Sequence, residues 1–328
     1  MTRAQPVADR LEHMLAILTD QVFPDTTIES EALSRAGITL RILTSSQPET
    51  IRAEAGGAHA VLTTYAPIDA QTIYALKACR IIARYGAGVD NVDLEAARSR
   101  GIVVTNVPDY CVEEVADHTM ALLLAAVRKV VAGNHAVRNG AWGIDHIAPV
   151  RRLRGRSLGL VGYGRIGTAV AARAHPFGLS VMAYDPLVDR ARFRADNVAP
   201  ADSLPQLLSR SDIVSIHVPL TPDTLGLIDA EAIEHARPGS ILINTARGPV
   251  CSLDAVLRAL QSGRLAAACL DVFESEPPEP SLFSDTENLI MTPHMAFYSK
   301  EAIQESQAKA AAEIIAVLTG QEPKYRVI

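Results

Sequence analysis

The apolar run at residues 157–161 passes directly into VGYGRIG, residues 161–167, and then into a helical pattern at 166–174. No other feature constrains the fold of this chain so tightly. Gly162, Gly164 and Gly167 stand in G-x-G-x-x-G spacing. The first permits a tight turn, the second lets a pyrophosphate approach the backbone, and the third allows close packing of helix on strand. Unpaired N–H groups and the positive dipole end at the helix start add to the attraction for phosphate. The next apolar run, 180–184, leads to Asp185, which suits an adenosine ribose and repels a ribose phosphate. NAD is therefore the expected ligand in preference to NADP, with Arg190 and Arg192 as nearby opposing charges. Tyr163, Arg165 and Ile166 join the glycines as expected cofactor-binding residues.

The rest of the chain repeats the same alternation. Apolar runs at 15–18, 39–43, 60–63, 80–83 and 102–105 are separated by helical patterns such as 29–36 and 49–55. A second series runs through 213–218, 240–244, 266–271 and 288–291. Each crossover helix must bury its apolar stripe on a sheet, so the alternation predicts an α/β protein of two doubly wound parallel-sheet domains. At 328 residues, two cores are also the expectation from size. A single long helix is expected over 112–131, connecting the two series.

Several function classes are disfavoured. A net charge of -6 gives no general attraction for nucleic acid, and the cluster Arg151, Arg152, Arg154 and Arg156 reads as a solvated turn. The cysteines Cys79, Cys111, Cys251 and Cys269 have neither zinc-site nor disulfide-framework spacing, so no metal is expected and a reducing cytoplasm is. Residues 1–10 lack the apolar core of a signal peptide, and the most apolar helical stretch, 119–127, is too short to span a bilayer.

Chemistry needs more than a dinucleotide fold. NTARG at 244–248, DVFESEP at 271–277 and TPHMAF at 292–297 each follow an apolar run. Each is thus expected at the carboxyl edge of the sheet, where ligands bind in open α/β domains. Arg247, Glu276 and His294 form the expected catalytic set. His217, Val218, Pro219 and Thr224 of HVPLTPDT, with Thr245, Ala246 and Asp271 and the flanking Arg247 and His294, are assigned to the cofactor. His118 and His175 have no comparable setting.

The order of these motifs, with RYGAGVDNVD at 84–93, resembles the D-2-hydroxyacid dehydrogenase family over essentially the whole chain. Within it, VPDYCVEEVADHT at 107–119 and HMAFYS at 294–299 are most similar to the dehydrogenase domain of C-terminal binding proteins. Met295, Ala296 and Phe297 replace the Ile-Gly-Gly-like sequence of phosphoglycerate dehydrogenases, which points away from phosphoglycerate and towards a more apolar pocket wall.

The resemblance implies an NAD-dependent 2-ketoacid reductase for a small 2-keto or 2-hydroxy carboxylate. It implies a flavodoxin-like substrate domain at 1–110 and 297–328, interrupted by a Rossmann NAD domain at 111–296, and a homodimer built by the cofactor domains. His294 would be the acid in reduction and the base in reverse, Glu276 its hydrogen-bond partner, and Arg247 the fork for substrate oxygens. Backbone N–H groups of Tyr85, Gly86, Ala87 and Gly88 would meet the substrate carboxylate, with Tyr65 and Phe297 as further substrate contacts. The competing implication is an NADH-sensing regulatory protein with residual dehydrogenase activity. A formate dehydrogenase would share the architecture, but Glu276 disfavours it.

Overall fold

The computed structural model describes residues 14–283, 286 and 288–328. The N-terminal reading of residues 1–10, and the start of the first expected domain, lie outside the described residues. The chain divides into two compact units, Met1–Cys111 with Ser299–Ile328, and Val112–Tyr298. The breaks expected after 110 and 296 thus fall after 111 and 298.

In the first unit, β1 (Met14–Leu18), β2 (Ile38–Ile42), β3 (Ala60–Thr63), β4 (Ile81–Arg84) and β5 (Val103–Thr105) form one parallel sheet in the order β2-β1-β3-β4-β5. Helices α1 (Thr27–Arg35), α2 (Pro48–Glu54), α3 (Ala70–Ala75) and α4 (Leu94–Ser99) provide the crossovers. This strand order is the flavodoxin-like one, with its switch point between β1 and β3. Ile17, Val61, Ile82 and Val104 from four strands pack with Ile51 and Ile73 from the helices, all essentially buried. Burial of each such aliphatic side chain contributes about 1.5–3 kcal/mol.

The second unit opens with α5 (Val112–Arg128) and α6 (Val130–Arg138). The single helix expected over 112–131 is interrupted at Lys129, whose φ of 51° takes the backbone into the left-handed region. The apolar periodicity continues across this break, so it carries no signal of the 59° bend between the two helices. Seven parallel strands follow: β6 (Ser157–Val161), β7 (Ser180–Tyr184), β8 (Ala199–Pro200), β9 (Ile213–Ile216), β10 (Ser240–Asn244), β11 (Leu265–Leu270) and β12 (Leu289–Met291). Their order is β12-β11-β10-β9-β6-β7-β8. Read outward from β6, this is the Rossmann order with one added strand at the β12 edge, and its switch point lies between β6 and β9. The two-residue β8 was absent from the sequence expectation, being too short for periodicity to register.

Successive residues on each strand serve opposite faces. Leu160, Ile241 and Ile243 pack with Leu123 of α5 and Val170 of α7 (Arg165–Ala174), whereas Val161, Ile216 and Leu242 join Leu207 and Val256 on the other side. The sheet is thereby covered on both faces, and its carboxyl edge is left to carry loops.

Candidate active site

The turn after β6 is shaped by atoms that leave no room for side chains. Gly162 has φ 94°, and a Cβ there would lie 2.7 Å from the His217 carbonyl oxygen. A Cβ on Gly167 would lie 2.5 Å from the Gly162 oxygen. Gly164 is different: it is exposed, caps α7 without a side-chain hydrogen bond, and a Cβ there would meet nothing within 4 Å. The N-terminus of α7 therefore opens onto free space with its first N–H groups presented, which is the cradle a pyrophosphate requires.

Asp185, just beyond β7, accepts hydrogen bonds from the backbone N–H groups of Tyr163 and Leu187, both at 2.9 Å. Its carboxylate is thus anchored at the ribose end of the cradle. The two nearby arginines are otherwise engaged: Arg190 pairs with Asp202, and Arg192 donates to Thr168 Oγ1 at 3.0 Å and lies over the Tyr163 ring. This arrangement fits NAD.

Two of the assigned cofactor residues have buried, hydrogen-bonded side chains. The Tyr163 side chain is fully buried, packed on Phe193 and donating to Asp196 Oδ2 at 3.0 Å, so only its backbone faces the cradle. Asp271 is also fully buried, and its carboxylate holds the neighbouring turn through the N–H groups of Met295 and Ala296. Of the rest, Arg165 is exposed beside the cradle, Ile166 is half-buried, and Val218, Pro219 and Ala246 retain surface at strand ends. Thr224 Oγ1 accepts from Thr221 N–H and donates to Pro219 O, closing the loop after β9. His217 lies in that loop, its imidazole hydrogen-bonded to Ser215 Oγ at 2.9 Å. Burial of the imidazole pushes its pKa down to about 3, so it is neutral, in keeping with exclusion from proton transfer.

Arg247, Glu276 and His294 come together within the second unit. His294 Nδ1 lies 2.6 Å from Glu276 Oε2, while Glu276 Oε1 accepts the Phe273 N–H at 3.0 Å. Burial pushes the Glu276 carboxyl up. The hydrogen bonds from His294 and Phe273 and the charges of His294 and Arg247 outweigh burial, and hold its pKa below the ordinary value. Arg247 follows β10, half-buried, with its backbone oxygen held by Asn244 Nδ2 at 3.0 Å. Gly248 explains how that loop reaches the others: a Cβ there would lie 1.9 Å from the Phe273 carbonyl carbon. The NTARG and DVFESEP segments therefore touch backbone to backbone, a requirement visible in NTARG once the partner is known.

His294 has φ 48°, a conformation costly for any residue with a Cβ and found mostly where surrounding contacts impose it. Here Asp271 imposes it. Its carbonyl accepts the His294 N–H at 2.8 Å, and its carboxylate accepts the N–H groups of Met295 and Ala296, both at 2.9 Å. Phe297 stands edge-on to the imidazole, with centroids 6.0 Å apart.

The remaining expected substrate residues belong to the first unit. Tyr65 is 43% exposed, on a turn whose N–H groups at 64, 65 and 66 all donate to Asp20. Gly86 has φ 131°, while Ala87 and Gly88 present surface after β4. The Tyr85 side chain is an exception. It is buried and donates to Glu29 Oε1 at 3.0 Å, so only its backbone is available as a contact. Sequence spacing located the turn but carried no information on which way that ring points.

The family described as "D-isomer specific 2-hydroxyacid dehydrogenase, NAD binding domain" matches residues 120–296. The chain is 41% identical over 262 residues to a glyoxylate reductase of Korarchaeum cryptofilum, covering 78% of each protein. It is 38% identical over 280 residues to a D-3-phosphoglycerate dehydrogenase of Archaeoglobus fulgidus, covering 84% of this chain and 53% of that one. It thus spans about half the length of the phosphoglycerate dehydrogenases it matches. Among solved structures, D-lactate dehydrogenase from Aquifex aeolicus complexed with NAD and lactic acid superposes with a TM-score of 0.85 at 29% identity, covering 95% of this chain and 98% of that one. A glyoxylate reductase from Paecilomyes thermophila gives 0.87 at 26% identity, covering 96% and 98%.

Proposed function

Because the chain belongs to the D-isomer specific 2-hydroxyacid dehydrogenase family, we propose that it reduces a small 2-oxo carboxylate to the corresponding 2-hydroxy acid, and catalyses the reverse. The observation that carries this reading is the 2.6 Å contact of His294 with Glu276, under the charge of Arg247, in the unit that holds the dinucleotide cradle. Bound reduced NAD supplies the hydride. As negative charge develops on the carbonyl oxygen, protonated His294 delivers the proton from Nε2 while Nδ1 stays bonded to ionised Glu276. Arg247 offers a planar fork to the carboxylate and the carbonyl oxygen, fixing the reacting carbon and stabilising the charge that grows there. Phe297 at the imidazole edge supplies an apolar wall that limits water at the proton-transfer site.

The matched relatives carry dehydrogenase and reductase names, so the regulatory alternative gains no support from them. The proposed substrate is an unphosphorylated 2-oxo acid, in line with the similarity to glyoxylate reductase along 78% of that protein. A 2-oxo acid panel, followed by NADH absorbance and repeated with NADPH, tests the reading. It stands if kcat/KM with NADH exceeds that with NADPH on at least one unphosphorylated member. It falls if none is turned over.

Replacing Glu276 with Gln keeps the shape but removes the negative charge that supports the imidazolium. The loss of activity that accompanies protonation of Glu276 at low pH in the parent protein is then absent from the profile. Initial rates across pH in both directions check this, and the same loss retained in the variant would separate Glu276 from the proton transfer. There is a stability counterpart. With its folded pKa depressed, Glu276 contributes stability that is fully present above the ordinary value of 4.5 and is lost as pH falls through the lower folded value.

A homodimer is the proposed assembly. Helix α6 has no buried residue, yet Val130, Val131 and Val137 on it are exposed, as are Trp142 at 87% and Ile144 at 76%. An apolar segment of this kind marks an interface. Trp142→Asp is expected to shift the sedimenting species from dimer to monomer, and an unchanged mass would exclude this segment from the interface. Cys79, Cys251 and Cys269 are buried free thiols, which suits a reducing compartment, and we place the protein in the cytoplasm on that ground. Among the described residues no single helix is long and apolar enough to cross a membrane.

A further inference from the structure

Behind the catalytic loops, two consecutive residues of α5 reach the two segments that carry the chemistry. His118 Nε2 lies 3.1 Å from Thr292 Oγ1 and 3.6 Å from Asp271 Oδ1. Thr119 Oγ1 lies 3.0 Å from Thr245 Oγ1. Thr292 and Asp271 border the His294 turn, and Thr245 is two residues before Arg247.

The proton directions in this network follow from counting. Thr292 Oγ1 donates its only proton to Asp271 Oδ1 at 2.5 Å, so towards His118 it can act only as acceptor. His118 must therefore carry a proton on Nε2 and donate it. Thr119 likewise commits its proton to the Val115 carbonyl at 2.7 Å, so Thr245 donates to Thr119. The first chain runs from His118 through Thr292 to Asp271, whose carboxylate holds the N–H groups of Met295 and Ala296. Those are the contacts that keep His294 at φ 48°.

We propose that His118 is a positioning residue for the reaction, fixing through Thr292 and Asp271 the turn that presents His294, while Thr119 beside it ties the Arg247 loop to the same helix. The acid and the cationic fork are thereby referenced to one rigid element. His118 touches neither and exchanges no proton with substrate. Its part is the Nε2–H donor, which prevents the Thr292 hydroxyl and the Asp271 carboxylate from relaxing away from a strained turn. This inference rests on the proposed reaction for its kinetic consequence, but its structural consequence is measurable without turnover.

Three variants, His118→Leu, His118→Gln and Thr292→Val, separate donor from bulk. Gln places an N–H close to the imidazole Nε2, whereas Leu fills space without a donor. His118→Leu is expected to lower kcat by roughly 10- to 100-fold through misplacement of the imidazole, with NADH affinity within about twofold of the parent. His118→Gln should restore most of the loss. In histidine-labelled protein, ring-nitrogen NMR should show His118 protonated on Nε2 and the His294 Nδ1 signal displaced in His118→Leu and Thr292→Val, but not in His118→Gln. If His118→Leu does not fold, Thr292→Val reads the same displacement.

An unmoved His294 signal in Thr292→Val and in folded His118→Leu overturns the inference, as does equal impairment by Gln and Leu. Should the parent protein reduce no 2-oxo acid while the His294 signal still moves, the proposed reaction falls and the positioning role stands.

Discussion

His294→Ala lowers kcat for 2-oxo acid reduction by about 10²–10⁴-fold, the range for loss of a general acid, and leaves NADH affinity close to that of the parent protein. The reason lies in where the residue sits. The cradle for the dinucleotide is built from the β6 turn, the α7 N-terminus and Asp185, and none of these atoms depends on the imidazole. The imidazole, in contrast, has its Nδ1 committed to Glu276 at 2.6 Å, so the proposed reaction assigns proton transfer to Nε2. Alanine removes the donor and also the group whose hydrogen bond helps keep Glu276 ionised. NADH titration by fluorescence, set beside steady-state kinetics, checks both halves. Retention of more than about a tenth of parental kcat would remove His294 from the proton-transfer step.

Arg247→Ala is expected to act differently, raising KM for the 2-oxo acid and lowering kcat by roughly 10²–10³-fold, since one group serves ground-state orientation and developing charge alike. Arg247→Lys should recover only part of this, because an ammonium keeps the charge but not the two-pronged geometry. There is a second signature. The Arg247 charge is one of the influences that hold the Glu276 carboxyl below its ordinary pKa, so its removal lets that carboxyl rise. The acid side of the pH profile should then set in at higher pH in Arg247→Ala than in the parent protein. A variant with unaltered KM and kcat would show that the substrate is held elsewhere.

The residues that could be identified from sequence share a property: their roles follow from local backbone geometry. Gly162 and Gly167 are legible because each must lack a Cβ for a reason that spacing encodes, and Gly164 because the same spacing puts it at the open start of the helix. The strands are legible as short apolar runs, several of them buried throughout as in β3, β4, β9 and β10, whereas β8, at two residues, is not. Side-chain direction within a motif is less accessible. Tyr85 and Tyr163 occupy motif positions, yet their rings turn into the protein interior, to Glu29 and to Phe193 with Asp196. Asp271 sits one residue after a strand in the motif that carries Glu276, and its carboxylate accepts from backbone amides 24 and 25 residues later.

By itself, the sequence determined the two parallel α/β units, the dinucleotide turn after β6, and the three strand ends from which Arg247, Glu276 and His294 emerge. It could do so because alternation, glycine spacing and strand ends are properties of short segments. Only the tertiary structure decided the rest: the break at Lys129, the backbone contact that demands Gly248, the strained turn at His294, and the network from His118 through Thr292 to Asp271. Each of these joins residues far apart in the chain or reverses a continuing local pattern. The carboxyl edge of the folded sheet is what brings them within hydrogen-bonding distance.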